Sequence, residues 1–224
     1  MITMKPIQLF PGVYKIGGAL ATRSLTPGFK VHGERLLEAG NAEYREWNPY
    51  QSKLAAGIAC GLHALPIKEG SRVLYLGAAQ GATASFVSDI VGEKGVVYCV
   101  EIAPRAVTDL IRVCEKRENM IPILADARKP SEYASEIEDG EVDVVFEDVA
   151  DPQQAELLKS NARFLKKGAA AMLAVKARSV SSVEEPRKVF EKVKRELEEV
   201  FELVQEIDIS SFEKDHEMLV LRKK

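Results

Sequence analysis

The sequence predicts an α/β fold: a mostly parallel, doubly wound sheet of seven strands with an antiparallel strand at its C-terminal end, preceded by a small β-rich unit. Three observations predict it. Between residues 72 and 175, apolar runs of strand length alternate with stretches of helical period; two further runs at 201–209 and 218–221 have no helix between them; and Gly12, Gly17, Gly18, Gly28, Gly33 and Gly40 punctuate the first fifty residues. Alternating strand and helix signals favour parallel pairing, whereas closely spaced glycine turns favour hairpins.

The front unit, residues 1–53, contains short runs such as Val13-Tyr14-Lys15-Ile16 between turns. Residues 54–224 form the second unit, opening with a helix from Leu54 to about Leu65, capped by Ser52 or Asn48 and stopped by Pro66. Val73-Leu74-Tyr75-Leu76 then ends at Gly77-Ala78-Ala79-Gln80-Gly81, after which Ala84, Val87, Ile90 and Val91 share one helix face. A second strand, 96–100, ends at Glu101. A helix over 105–117 and a strand over 120–124 lead to Asp126-Ala127. Beyond them come a strand at 142–146, a helix at 154–165 ended by Gly168, a strand at 169–175 leading to Lys176, and a helix at 186–200 with Glu191 and Arg195 one turn apart on a solvated face. The last two runs pair antiparallel, since no crossover separates them. Asp126, Asp148 and Lys176 therefore all fall just past strand C-termini, the edge where open α/β sheets bind ligands.

The turn narrows the ligand. An acid about twenty residues past a strand–turn–helix, here Glu101, is where nucleoside-binding units hold a ribose diol. Dinucleotide folds want G-x-G-x-x-G, but Gly77 and Gly81 are spaced G-x-x-x-G and Ala79 takes the middle position. That spacing favours S-adenosylmethionine, whose carboxylate can lie against the helix N-terminus at Ala82 and Thr83. An NAD site and a βαβ unit without ligand remain open on this segment alone.

Composition bounds the rest. The chain is 46% apolar, enough for a full core, and has no apolar run of membrane-span length. Met1 to Ile7 lack a signal-peptide plan, so a cytosolic protein is expected. Cys60, Cys99 and Cys114 show neither C-x-x-C nor metal-ligand spacing and read as reduced core residues. A net charge of −3 is unlike a protein that grips nucleic acid by itself, so any RNA is delivered by other molecules. Charged residues at 29% beside only ten Asn and Gln lean towards a thermophilic source. Trp47, the single tryptophan, reads as a junction anchor, and His32 and His63 as structural.

Taken in order, Gly33-Glu34-Arg35, Tyr44-Arg45-Glu46-Trp47-Asn48-Pro49-Tyr50, Tyr75-Leu76-Gly77-Ala78, Asp126-Ala127-Arg128-Lys129-Pro130, Asp148-Val149-Ala150, Val175-Lys176-Ala177-Arg178 and Glu213-Lys214-Asp215-His216 resemble the fibrillarins in their short archaeal form. The resemblance covers nearly the whole chain. It implies a class I, Rossmann-like methyltransferase that moves a methyl group from S-adenosylmethionine to ribose 2′-hydroxyls of rRNA and tRNA. The implied partners are a box C/D guide RNA, a Nop-family scaffold protein and a kink-turn-binding ribosomal-type protein. The implied catalytic set is Lys53, Asp148, Lys176 and His216. Implied cofactor contacts are Ala82-Thr83 at the methionine end, Glu101-Ile102 at the ribose, Asp126-Ala127 at adenine, and Asp148-Val149-Ala150-Asp151 beside the methyl. Two positions depart from the family: Ala82 replaces the first of two threonines, and Asp151 replaces a glutamine.

Elementary chemistry agrees with that set. Methyl transfer to a ribose needs the 2′-oxygen in line behind the S–methyl bond and its proton removed as the new bond forms. An acid past one strand and a lysine past the next can supply both, and a lysine can act as base only when burial or a second cation makes it neutral.

Overall fold

The computed structural model describes residues 5–224; residues 1–4, where the expected lack of a signal peptide and the start of the front unit fall, lie outside the described residues. The first five strands are β1 (Ile7–Phe10), β2 (Val13–Ile16), β3 (Ala19–Arg23), β4 (Leu36–Ala39) and β5 (Ala42–Glu46). They form an antiparallel sheet in the order β1-β2-β3-β5-β4. Ile16, Ala21, Leu37, Ala39 and Tyr44 make its own small core.

Helix α1 (Lys53–Ala59) follows, capped by Ser52, whose Oγ accepts the Ala55 N–H at 3.4 Å. It ends well short of the expected Leu65. Gly61 adopts φ 101°, outside the helical region, and the Leu62 N–H turns back to the Gly57 carbonyl at 3.0 Å. Asn48 does not cap the helix; its Oδ1 accepts the Tyr50 N–H.

The main sheet contains β6 (Arg72–Leu76), β7 (Val96–Glu101), β8 (Met120–Leu124), β9 (Val142–Glu147), β10 (Leu165–Lys176), β11 (Phe201–Asp208) and β12 (His216–Lys223), in the order β11-β12-β10-β9-β6-β7-β8. Only β12 runs antiparallel to its neighbours, β10 and β11, as the missing crossover predicts. The connecting helices are α2 (Ala82–Val91), α3 (Pro104–Cys114), α4 (Gln154–Asn161), α5 (Ala177–Val180) and α6 (Pro186–Leu197). Beyond α1, helices α3 and α6 end three residues before the expected 117 and 200, at Cys114 and Leu197, and two boundaries differ by four residues from the sequence pattern. Helix α4 stops at Asn161, whose Nδ2 donates to the Leu157 and Ala127 carbonyls at 2.9 Å each. Strand β10 already starts at Leu165, with a ladder irregularity between Leu165 and Ala170 that lets Lys166, Lys167 and Gly168 sit in solvent and disguises the strand. On α6, Glu191 pairs with Lys194 at 2.7 Å rather than with Arg195.

Both faces of the main sheet are covered, which is why its strands read as continuous apolar runs. Val73 and Tyr75 pack with Trp47, Leu54, Phe86, Val87 and Leu110, on the side of α1, α2 and α3. Leu74 and Leu76 pack with Tyr133, Leu158 and Val193, on the side of α4 and α6. The front sheet is joined to α2 by buried charges. Arg45 on β5 is fully buried, donates to Glu34 at 2.7 Å, Asp89 at 2.8 Å and Ser85 at 2.8 Å, and lies 4.2 Å over the Phe86 ring. Trp47 stacks on the other aromatic partner of this junction, Phe86, at 5.1 Å, as expected of an anchor. Among the described residues no helix is long and apolar enough to cross a membrane.

Candidate active site

Five parallel strands end side by side, so Gly77, Glu101, Asp126, Asp148 and Lys176 reach one edge from chain positions a hundred residues apart. The turn after β6 lies against the loop after β9. A Cβ on Gly77, which has φ 81°, would sit 2.8 Å from the Asp148 carbonyl oxygen and 3.1 Å from Val149 Cγ2; glycine is required for this approach. Ala79, at φ 48°, donates its N–H to Glu101 Oε2 at 2.9 Å, and Glu101 Oε1 accepts the Ala103 N–H at 2.8 Å. The carboxylate is thereby fixed in orientation, and each oxygen keeps a lone pair for a diol.

Gly81 forms the N-cap of α2 without a side-chain bond, leaving the first-turn N–H groups at Ala82 and Thr83 available to an anion. Thr83 Oγ1 donates to Ser52 Oγ at 3.2 Å, tying this turn to the start of α1. Tyr75 lies beneath it; burial and the Asp148 charge push its phenol well above the ordinary range.

A cavity of about 450 Å³ is lined by Gly77, Ala79, Glu101, Ile102, Asp126, Ala127, Asp148, Val149, Ala150, Asp151 and Lys176, together with Val100, Ala125, Arg128 and Leu157. Most of the cofactor residues expected from sequence therefore meet in one place. Gly81, Ala82 and Thr83 are not among its lining; Ala82 and Thr83 line a neighbouring cavity of about 560 Å³ with Ser52 and Trp47. Apolar walls and a few convergent polar groups suit a nucleoside. At the outer rim Arg128 holds Asp126 through Nε and Nη2, at 2.9 Å and 2.8 Å, which keeps the Asp126 carboxyl below the usual range. Arg128 Nη1 also lies 3.9 Å from Asp151 Oδ2. Arg128 thus lies between two acids, Asp126 and Asp151.

The charged centre lies at the inner end. Lys176 Nζ is 2.8 Å and Lys53 Nζ 3.2 Å from the same oxygen, Asp148 Oδ1. Lys176 Nζ also donates to the Asp148 carbonyl at 2.9 Å. Two ammonium groups on one carboxylate leave a local positive excess beside the cavity. Asp148 does not cap α4; that N-cap is Gln153. His216 stands directly opposite Lys176 in the antiparallel ladder, but its ring faces its own loop, with Nδ1 2.7 Å from the Lys214 carbonyl. A carbonyl only accepts, so Nδ1 carries a proton, and in the neutral ring Nε2 keeps its lone pair. In this arrangement Lys53 and Lys176 each touch Asp148, whereas the His216 ring is held by the Lys214 carbonyl.

Two residues escape sequence reasoning. Gln154 is buried; its Nε2 donates to the Val149 carbonyl at 2.9 Å and its Oε1 accepts the Lys176 N–H at 3.1 Å. It bolts the loop carrying Asp148 to the strand end carrying Lys176. Glu147 is fully buried with no partner for either oxygen among the described residues, and burial, with the Asp151 charge added, pushes its carboxyl well above the usual range. Neither residue carried a local signal in the sequence.

A family profile described as Fibrillarin matches residues 4–224. The chain is 49% identical over 220 residues to a Pyrococcus furiosus protein named fibrillarin-like rRNA/tRNA 2′-O-methyltransferase, covering 96% of each. Among solved structures, Aeropyrum pernix fibrillarin in complex with natively bound S-adenosyl-L-methionine is similar at TM-score 0.89 and 41% identity, covering 98% of both chains. A fibrillarin/Nop5p complex is similar at TM-score 0.89 and 37% identity, covering 97% of this chain and 100% of that one.

Proposed function

This chain belongs to the fibrillarin family, and from that premise we propose that it transfers the methyl group of S-adenosylmethionine to the ribose 2′-hydroxyl of rRNA and tRNA nucleotides selected by a box C/D guide RNA. The observation that carries the proposal is the meeting of Lys53 and Lys176 on Asp148 at the inner end of a cavity whose ribose position is Glu101. We assign residues 1–53 to the front unit and 54–224 to the methyltransferase unit; Lys53, the last residue of the first, is also the first residue of α1.

The residues present fit the cofactor. Glu101 offers two fixed acceptor oxygens to a ribose diol, Asp126 and Ala127 border the adenine end, and Ala82 and Thr83 offer N–H groups to the methionine carboxylate. With Ala82 in place of threonine, the side-chain contact there falls to Thr83 alone. S-adenosylmethionine supplies a methyl on a sulfonium sulfur, which leaves as a neutral thioether while the 2′-oxygen forms the new bond to carbon. Lys176 meets the 2′-oxygen; Asp148 orients Lys176 and balances its charge; the cluster takes the departing proton; Lys53 and His216 fix the ribose and the acid. In its neutral form His216 offers Nε2 to a ribose hydroxyl, since Nδ1 is engaged by the Lys214 carbonyl.

Partners complete the enzyme. The net charge of −3 gives little attraction for phosphates, so RNA arrives on a Nop-family scaffold protein, a partner supported by the fibrillarin/Nop5p complex, and a kink-turn-binding ribosomal-type protein. The cytosol fits three cysteines that are all free.

The cofactor half of the proposal is tested by titration calorimetry on the chain alone, since Gly77, Glu101 and Asp126 belong to it. S-adenosylmethionine binds, and Glu101→Ala weakens binding by about 1.5–3 kcal/mol, the cost of losing a hydrogen bond to a charged group. No heat with S-adenosylmethionine together with tight NAD binding would overturn it.

A further inference from the structure

We propose that Arg178 and Asp215 are positioning residues for His216: together they fold the loop before β12 so that the imidazole is held in one tautomer. Neither has a part in the chemistry above, yet each adjoins a residue that does, Arg178 two places after Lys176 and Asp215 directly before His216. Arg178 Nε donates to Asp215 Oδ2 at 2.9 Å, and Arg178 Nη1 donates to the Ser182 and Glu184 carbonyls at 3.2 Å each. One guanidinium thus ties the loop after α5 to the loop before β12. The backbone adds a second tie: the Ala177 N–H donates to the Asp215 carbonyl at 3.1 Å, directly beyond the Lys176–His216 pair of the ladder.

Asp215 adopts φ 60°; among the described residues other than glycine, it and Ala79 of the cofactor turn alone have positive φ. Aspartate enters this region more readily than most residues, but extended backbone is the default at the start of a strand, so the turn needs a hold. Among the described residues Arg178 is the only side chain bonded to that of Asp215. The consequence falls on the next residue. The turn at Asp215 brings the Lys214 carbonyl back to 2.7 Å from His216 Nδ1, two residues on. The bond made by one ring nitrogen sets the tautomer, and a neutral ring that donates from Nδ1 presents Nε2 as the acceptor a ribose hydroxyl needs. With Arg178 half-exposed, the pair contributes little to folding stability, so its effect lies in where it puts the ring.

The inference rests on the part given to His216 in the proposed function, and two readouts separate them. The first needs no RNA. In the full chain with S-adenosylmethionine, nitrogen-15 shifts of the imidazole report the tautomer at alkaline pH, where such a ring is neutral; with three histidines in the chain, His216→Ala assigns its signals. The unsubstituted protein carries the proton on Nδ1, whereas Arg178→Ala and Asp215→Ala give a mixture of tautomers. Asp215→Asn, which keeps an acceptor for Arg178 and enters the left-handed region readily, keeps Nδ1 protonated. The second readout is single-turnover methylation by the complete particle with guide RNA and partner proteins. Arg178→Ala and Asp215→Ala each lower the rate roughly 3- to 30-fold, the scale of coupling between residues in contact, and lower it no further once His216 is replaced by Ala. Asp215→Asn keeps most of the rate, and the thermal midpoint is unchanged in all three. An unchanged tautomer in Arg178→Ala, or a rate loss that adds in full to that of His216→Ala, would overturn the positioning role. A shifted tautomer in Arg178→Ala, with normal methylation by both that variant and His216→Ala, would instead uphold the hold on the ring and overturn the part given to His216 in the proposed function.

Discussion

Replacing Lys176 or Asp148 with Ala lowers single-turnover methylation of guided RNA by roughly two to four decades, the scale of a positioned acid–base group. The two ammonium groups and the carboxylate form one unit: Lys176 Nζ at 2.8 Å and Lys53 Nζ at 3.2 Å share Asp148 Oδ1. Removing Asp148 leaves two half-buried cations without their counter-charge and frees both lysines, whereas removing Lys176 leaves the Lys53–Asp148 pair intact. Cofactor affinity therefore changes far less in Lys176→Ala than in Asp148→Ala, because Asp148 sits on the loop that packs against the Gly77 turn and anchors both lysines, whereas removing Lys176 leaves that loop and the Lys53–Asp148 pair in place. Lys53→Ala and His216→Ala have milder effects, since neither lines the cofactor cavity. Single-turnover rates across pH also distinguish the two roles open to Lys176. A lysine that takes the proton gives a rate rising with pH, while a lysine that acts as a fixed cation gives a rate that falls as it deprotonates. Normal single-turnover methylation by Lys176→Ala would remove that residue from the mechanism.

Asp89→Ala costs about 3–5 kcal/mol of folding stability, the scale for breaking a buried ion pair from one side. Both Asp89 oxygens are occupied: Oδ2 accepts from Thr22 Oγ1 at 2.7 Å and Arg45 Nη1 at 2.8 Å, and Oδ1 accepts from the Leu25 N–H at 3.1 Å and Arg117 Nη1 at 2.7 Å. The side chains of Arg45, Arg117 and Asp89 are all fully buried. Without Asp89, Arg45 keeps Glu34, but Arg117 loses its single ion-pair partner in the network. Total stabilities of about 5–15 kcal/mol make a loss of this size large. Denaturant unfolding followed by far-UV circular dichroism measures it: the midpoint falls while the slope stays constant. A change below about 1 kcal/mol would show that the Arg45–Asp89–Arg117 network contributes little to holding the front sheet on α2.

This junction also marks where local pattern ends as a guide. The parallel strands, the Gly77–Gly81 turn and the placing of Glu101, Asp126, Asp148 and Lys176 at one edge follow from period and spacing, which act over a few residues at a time. The Lys53–Asp148 contact spans 95 residues and became visible only through the family resemblance. Arg45 and Asp89, 44 residues apart, read separately as a strand charge and a helix charge, and nothing local marks them as buried partners. Gln154 carries no pattern because its role is to satisfy two backbone groups brought together by the fold. The misplaced ends of α1, α4 and β10 have the same origin: Gly61, Asn161 and the Lys166-Lys167-Gly168 bulge override an apolar period that otherwise runs on.

The most direct measurement is the transfer of a tritiated methyl group from S-adenosylmethionine to substrate RNA, with and without the guide RNA and partner proteins, followed by alkaline hydrolysis to locate the label. A 2′-O-methyl ribose has lost the hydroxyl that attacks its own phosphodiester, so the labelled linkage resists alkali. The expected result is label at one guide-specified nucleotide, recovered in an alkali-resistant dinucleotide and nearly absent when the chain acts alone. Label on a base in alkali-labile products, or full turnover by the chain without a guide, would contradict guided ribose methylation.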